Sequence, residues 1–338
     1  MGRNSFASQL VVRALAAGIP STKGAPLLPG FGRSGNQYRV RIVAIFLAFL
    51  ATLVVSAAAP QPPDAAYVDS FNKWKAELVD DLKQNWLVLA GLFWLKPGAN
   101  TFGSASDNAV VLPSGPAHAG TFTLEGENVS VEFQAGTDAK IDGRSQKTSR
   151  LAADITGSPT VLELGSLRMH VIQRGKRIGI RVKDLNSAAA RNYAGPIFFP
   201  LDMTYRVTGT FVPSDGKKTV DVPNVLGDIT PVPIAGEVHF TVNGQNLTLT
   251  ALGGEPSKGL SFVISDLTSK TGTYPGGRFL ETDPVVNGKV VLDFNRAYNP
   301  PCAVTPYATC PLAPKENRLA VAISAGEKYD RAHHLRHP

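Results

Sequence analysis

The residues of this chain best equipped for chemistry gather near its C-terminal end, in residues 293–328, which read DFNRAYNPPCAVTPYATCPLAPKENRLAVAISAGEK. Asp293 and Glu316 supply carboxylates, Arg296 a guanidinium, Tyr298 a phenol, and Asn295, Asn299 and Asn317 supply amides. If Arg181 and Arg278 converge with Asp293 beneath residues 298–311, the set forms a polar pocket. Its planar guanidiniums would hold a carboxylate or sulfate through paired hydrogen bonds, and its carboxylates and amides would suit sugar hydroxyls. The competing reading is structural. Pro300, Pro301, Pro306, Pro311 and Pro314 forbid regular structure here, so buried loop amides and carbonyls need side-chain partners, and Asp, Asn and Arg are well suited to that work. A third reading pairs Asp293 with Glu316 or Glu327 as acid and base for glycoside or ester hydrolysis, which needs a carboxylate separation of about 5 to 10 Å.

No recognised catalytic motif decides among these readings. The nucleophile elbow, the phosphate-binding loop and the zinc-binding H-E-x-x-H are absent from residues 60–338. Residues 30–35, GFGRSG, match the dinucleotide pattern but follow no strand. Of the histidines outside the tail, His170 and His239 alternate with apolar neighbours and read as solvated positions on strand faces. No cofactor is expected, and with no catalytic residue assigned, a small-molecule ligand is the expected partner.

Cys302 and Cys310 are the only cysteines, with seven residues between them around the proline-rich loop. In an exported chain such a pair is expected as a disulfide. A zinc site would need further Cys or His ligands, and the loop contains no histidine; no metal is expected.

These residues must be positioned by strands. Apolar or alternating runs at 87–95, 109–112, 120–124, 129–133, 160–164, 167–173, 177–184, 203–212, 237–242, 247–252, 260–265, 289–294 and 319–324 are separated by Gly, Pro and Asn. In residues 177–184 Ile178, Ile180 and Val182 take one face while Arg181 and Lys183 take the other. Asn243-Gly244 between two alternating runs is a tight hairpin signal. One amphipathic helix is expected over 65–84, with Phe71, Trp74, Leu78 and Leu82 on its apolar stripe. The fold class is therefore all-β, a sandwich or barrel of about a dozen mostly antiparallel strands with one N-terminal amphipathic helix.

The chain has 338 residues, a hydrophobic content of 43% and a net charge of +7. Residues 1–59 hold six basic side chains and no acid, so the remainder carries 28 basic against 27 acidic groups. That near-neutral balance supplies no phosphate-binding field, and nucleic acid is not an expected partner. Residues 38–59, YRVRIVAIFLAFLATLVVSAAA, read as a signal peptide cleaved after Ala58 or Ala59. The apolar run is too short to span a bilayer, for which roughly 20 residues are needed. Residues 1–37 read as an extension preceding the true start, residues 60–328 as a single exported domain, periplasmic or secreted, and residues 329–338 as a frayed His-rich tail.

The blocks DFNRAYNPPC, CPLAPKENRL and AGEK resemble the signature of the bacterial and archaeal family DUF1684, of unknown function. The upstream blocks WLVLAGLFWLKPGANTFG, RIGIRVKD and TGTYPGGRFL extend the likeness over most of residues 67–328. The resemblance implies no catalytic assignment. It leaves ligand-binding, hydrolytic and purely structural envelope roles open.

Overall fold

The structure, a computed structural model, describes residues 62–330. The expected extension, the signal segment and almost all of the His-rich tail lie outside the described residues. Helix α1 (Ala65–Asp81) begins where the Asp64 side chain accepts the backbone N–H of Tyr67 at 2.7 Å. It passes directly into a single π turn, Leu82–Trp86, that buries Leu82 and Trp86. Phe71 is buried on its inner face, and Trp74 and Leu78 pack half-buried beside it, as the periodicity requires.

Nineteen strands follow. β1 (Leu89–Trp94), β2 (Gly98–Gly103), β3 (Val110–Val111), β4 (Gly120–Glu125), β5 (Asn128–Phe133), β6 (Ala139–Ile141), β7 (Thr148–Leu151), β8 (Leu162–Leu164), β9 (Leu167–Arg174) and β10 (Arg177–Asp184) precede the short helix α2 (Ala188–Asn192). After it come β11 (Arg206–Pro213), β12 (Thr219–Pro223), β13 (Ile229–Pro233), β14 (Gly236–Val242), β15 (Gln245–Ala251), β16 (Gly253–Glu255), β17 (Gly259–Ile264), β18 (Arg278–Glu281) and β19 (Lys289–Asp293).

Two five-stranded sheets, β1-β10-β9-β8-β6 and β3-β2-β4-β5-β7, enclose one apolar core containing Phe102, Phe122, Met169 and Ile180. A four-stranded sheet, β15-β14-β11-β19, and a three-stranded sheet, β16-β17-β18, enclose a second around Phe240, Phe262, Leu280 and Phe294. The third core lies where α1, the start of β1, the β12-β13 ribbon and the 298–313 segment meet. The sheets stack like a sandwich and none closes into a barrel, so the barrel alternative falls away. Pairing is antiparallel except between β2 and β3.

The expected hairpin forms between β14 and β15, with Asn243 at φ 51° and Gly244 at φ 73°. The strands β2, β6, β7, β12, β13, β16 and β18, most of them short, carry too little alternation to announce themselves, which is why the expected dozen became nineteen. The strand expected at 319–324 is not one. Alternate residues Leu319, Val321 and Ile323 are buried as alternation demands, yet no strand pairs with this segment along its length. Its backbone bonds reach only residues 265 and 267, and side chains of Asp266 and Arg278 take others of its polar groups.

Candidate functional site

The proposed site residues do not converge on one pocket; they are spread over several places, each tied to its own partners. Arg278 is the most enclosed, with no exposed surface. Its Nη2 pairs with Asp266 Oδ2 at 2.8 Å and donates to the Ile323 carbonyl at 3.2 Å, while Nη1 donates to the Ala325 carbonyl. Asp266 in turn caps a 3-10 turn, Leu267–Lys270, and accepts the Ile323 N–H at 3.1 Å. The pair therefore laces the 319–325 segment to β18. It belongs to the clamp reading.

Asp293, Asn295 and Arg296 come together at the end of β19, against the first turns of α1. The Tyr67 hydroxyl donates to both Asp293 oxygens at 3.0 and 2.9 Å, and Arg296 and Arg206 lie at 3.5 and 3.7 Å. Arg296 also donates to the Ser70 hydroxyl at 2.6 Å and lies over the rings of Tyr67 and Trp74. Burial pushes the Asp293 carboxyl above its ordinary range, although the Tyr67 hydroxyl and the two arginines oppose the shift. Asn295 bonds both backbone groups of Asp202, at 3.0 and 2.9 Å. No signal in the sequence marked Tyr67 or Arg206 as partners, because they lie far away along the chain.

Tyr298 donates to Glu281 at 3.0 Å and exchanges backbone bonds with Phe279. Asn299 places its backbone N–H 2.7 Å from Glu327, and its side chain donates to the Lys328 carbonyl at 2.9 Å. Glu327 is 2% exposed, and burial lifts its pKa to about 8 despite the Asn299 bonds and the nearby Arg278. Asn317 is wholly buried and bonds the N–H and the carbonyl of Thr250 at 2.8 and 2.9 Å. Its neighbour Glu316 lies 3.9 Å from Lys315. Asp293, Glu316 and Glu327 thus each serve a different set of neighbours.

Arg181 stands apart on β10, on the sheet face opposite the Ile180 core. Opposite residues of paired strands share a face, so His170 and Leu92 flank it. Beside it Arg174 pairs with Asp154 at 2.7 Å and donates to Thr309 at 3.1 Å. Arg181 is 7% exposed and reaches a single acceptor, the Tyr307 carbonyl at 3.4 Å; its Nε has no partner among the described residues. Burial, reinforced by Arg174, lowers its pKa to about 10, and burial with Arg181 lowers that of His170 to about 4, which keeps the imidazole neutral.

The 302–311 loop lies against this face. Val304, Thr305, Pro306 and Tyr307 form one wall of a cleft of about 450 Å³, whose other walls are Leu87, Leu89 and Ala90 and residues 184 and 187–189. This concavity sits at the loop, but not beneath Asp293. The expected disulfide is corrected: Cys302 and Cys310 are free thiols, and the Cys310 sulfur accepts the Cys302 N–H at 3.3 Å in place of a covalent bond. Among the described residues no group of three metal-ligating side chains forms, and no helix is long and apolar enough to cross a membrane.

Residues 191–328 match the model of a family described as "Protein of unknown function (DUF1684)". Over that span the chain carries the DUF1684 domain. The matched DUF1684 span takes in every site residue above except Arg181, and it begins after the upstream blocks that end at Asp184. The solution NMR structure of an uncharacterized protein of Haloarcula marismortui is 30% identical, covering 41% of this chain and 78% of that one, with a TM-score of 0.34. No curated protein matches this DUF1684 chain.

Proposed function

We propose that the protein binds a small molecule bearing a carboxylate and an apolar body, in the cleft between the 304–307 loop and residues 184–189. What supports the reading is Arg181, a buried guanidinium with an unpartnered Nε, lying directly behind the Tyr307 wall. A buried charged donor left without a matching acceptor is uncommon and calls for a reason. Lys183 adds positive charge, since it pairs with the cleft-lining Leu89 and so leaves the sheet on the same face. The apolar lining of Leu87, Leu89, Val304 and Pro306 suits the body of such a ligand, and the volume is in the usual range for small-molecule sites. Asp184, Ser187, Thr305 and Tyr307 add polar groups to the same lining, so sugar-like ligands are the competing class.

Thermal-shift and calorimetric titration with short aliphatic and aromatic carboxylic acids tests the proposal, with matched amides and monosaccharides as controls. Carboxylates should raise the melting temperature of the wild type and lose that effect in Ala188→Trp, which fills the cleft from an exposed position. Stabilisation by no carboxylate, or equal stabilisation of the variant, would sink it and leave the structural envelope role. We propose also that the chain is exported and cleaved after Ala58 or Ala59; N-terminal sequencing of the protein from its native host checks this, and an N-terminus within residues 1–37 would contradict it.

A further inference from the structure

The clamp and cleft readings leave one cluster unused, at the foot of the 302–311 loop. Cys302 is half-buried, Cys310 is buried, and the Tyr274 hydroxyl donates to the Cys302 sulfur at 3.4 Å and approaches the Cys302 carbonyl at 3.5 Å. The Cys310 sulfur accepts the Cys302 backbone N–H at 3.3 Å, which sets the two thiols side by side. The Tyr274 hydroxyl thus points at the more accessible sulfur of the pair. Hydrogen bonding by the Cys310 and Tyr274 side chains lowers the Cys302 pKa, whereas burial raises that of Cys310.

We propose that Cys302 and Cys310 form a redox-active dithiol that reduces hydroperoxides, with Cys302 as the attacking thiol, Cys310 as the resolving thiol and Tyr274 as the positioning residue. The Cys302 thiolate attacks the outer oxygen of a hydroperoxide; the O–O bond breaks, and the departing alkoxide leaves as alcohol with the proton released by Cys302. Cys302 is thereby oxidised by two electrons to the sulfenic acid. The Cys310 sulfur then attacks the Cys302 sulfur; the S–S bond forms, the S–O bond breaks, and the hydroxyl leaves with the Cys310 proton as water. In sum, two thiols and one hydroperoxide give one disulfide, one alcohol and one water. The arrangement divides the labour by access: Cys302 is partly exposed, and Cys310 is enclosed beside it in the third apolar core.

The full chain, reduced and freed of reductant, is treated with hydrogen peroxide and with cumene hydroperoxide, then followed by intact mass and thiol titration. The expected product has lost two hydrogens and titrates with no thiol. Cys310→Ser should stop at a Cys302 sulfenic acid trapped by dimedone, and Cys302→Ser should leave Cys310 unreacted. Tyr274→Phe should slow the first step about tenfold, as expected when a thiolate loses a stabilising bond worth about one pKa unit. Circular dichroism confirms that each variant is folded, and the wild-type product stands as the readout if one is not. Thiols that survive peroxide in the folded wild type, or a Cys310 that reacts at the same rate without Cys302, would overturn the assignment.

Discussion

At the scale of the residue, most polar groups of the 293–328 segment act on backbone. Arg278 and Asp266 are the extreme case, both side chains fully enclosed and bonded to the same irregular segment. Replacing Arg278 with Ala leaves the Asp266 carboxylate buried without its counter-ion and should cost about 3 to 5 kcal/mol, read as a lower urea midpoint with an unchanged slope. Glu327 makes a pH-dependent prediction. Its folded pKa is raised to about 8, whereas an unfolded glutamate titrates near ~4.3. Below the unfolded value both states hold the proton. As pH rises from there to about 8, only the unfolded state ionises, so the folded state loses relative stability. Melting temperature should therefore fall between pH 5 and pH 9, and Glu327→Gln, which cannot ionise, should show a shallower fall. A slope unchanged by the substitution would show that Glu327 ionises freely when folded.

At the scale of the element, helix α1 is fastened to the sheet edge by Tyr67, Ser70 and Trp74 through Asp293 and Arg296. Tyr67→Phe removes a bifurcated hydrogen bond to a carboxylate and should destabilise by about 1.5 to 3 kcal/mol. Limited proteolysis should then cut within Ala65–Asp81 sooner than in wild type; an unchanged cleavage pattern would mean that the apolar face alone holds the helix. The β14-β15 turn depends on two residues at positive φ, Asn243 and Gly244. Gly244→Val should cost about 1 to 2 kcal/mol, because a branched side chain is strained in that conformation, measurable by chemical denaturation. Both elements were legible in the sequence, since a 3.6-residue stripe and an Asn-Gly turn are local patterns. The 319–324 segment misled because its alternation reports which side chains are buried and does not report whether a neighbouring strand exists to pair with it.

At the scale of the molecule, the third apolar core joins the two sheet systems. Leu82, Trp86 and Leu89 from the N-terminal part pack with Val220, Phe279, Tyr298 and Cys310 from the DUF1684-matched part. A core shared in this way should make unfolding a single transition, with the calorimetric enthalpy equal to the van't Hoff enthalpy; two resolved transitions would show separately stable units instead. The amino-acid sequence alone determined the all-β class, the amphipathic helix, the Asn243-Gly244 hairpin and the DUF1684 match over residues 191–328, because alternation, helical period, turn chemistry and ordered motif blocks are written locally. Only the tertiary structure decided that Asp293 answers to Tyr67, that Arg278 answers to Asp266 and that Arg181 is left without a carboxylate behind Tyr307. A charged side chain is assigned by which partner reaches it after burial, and chain separation carries no information about that: Tyr67 and Asp293 lie 226 residues apart.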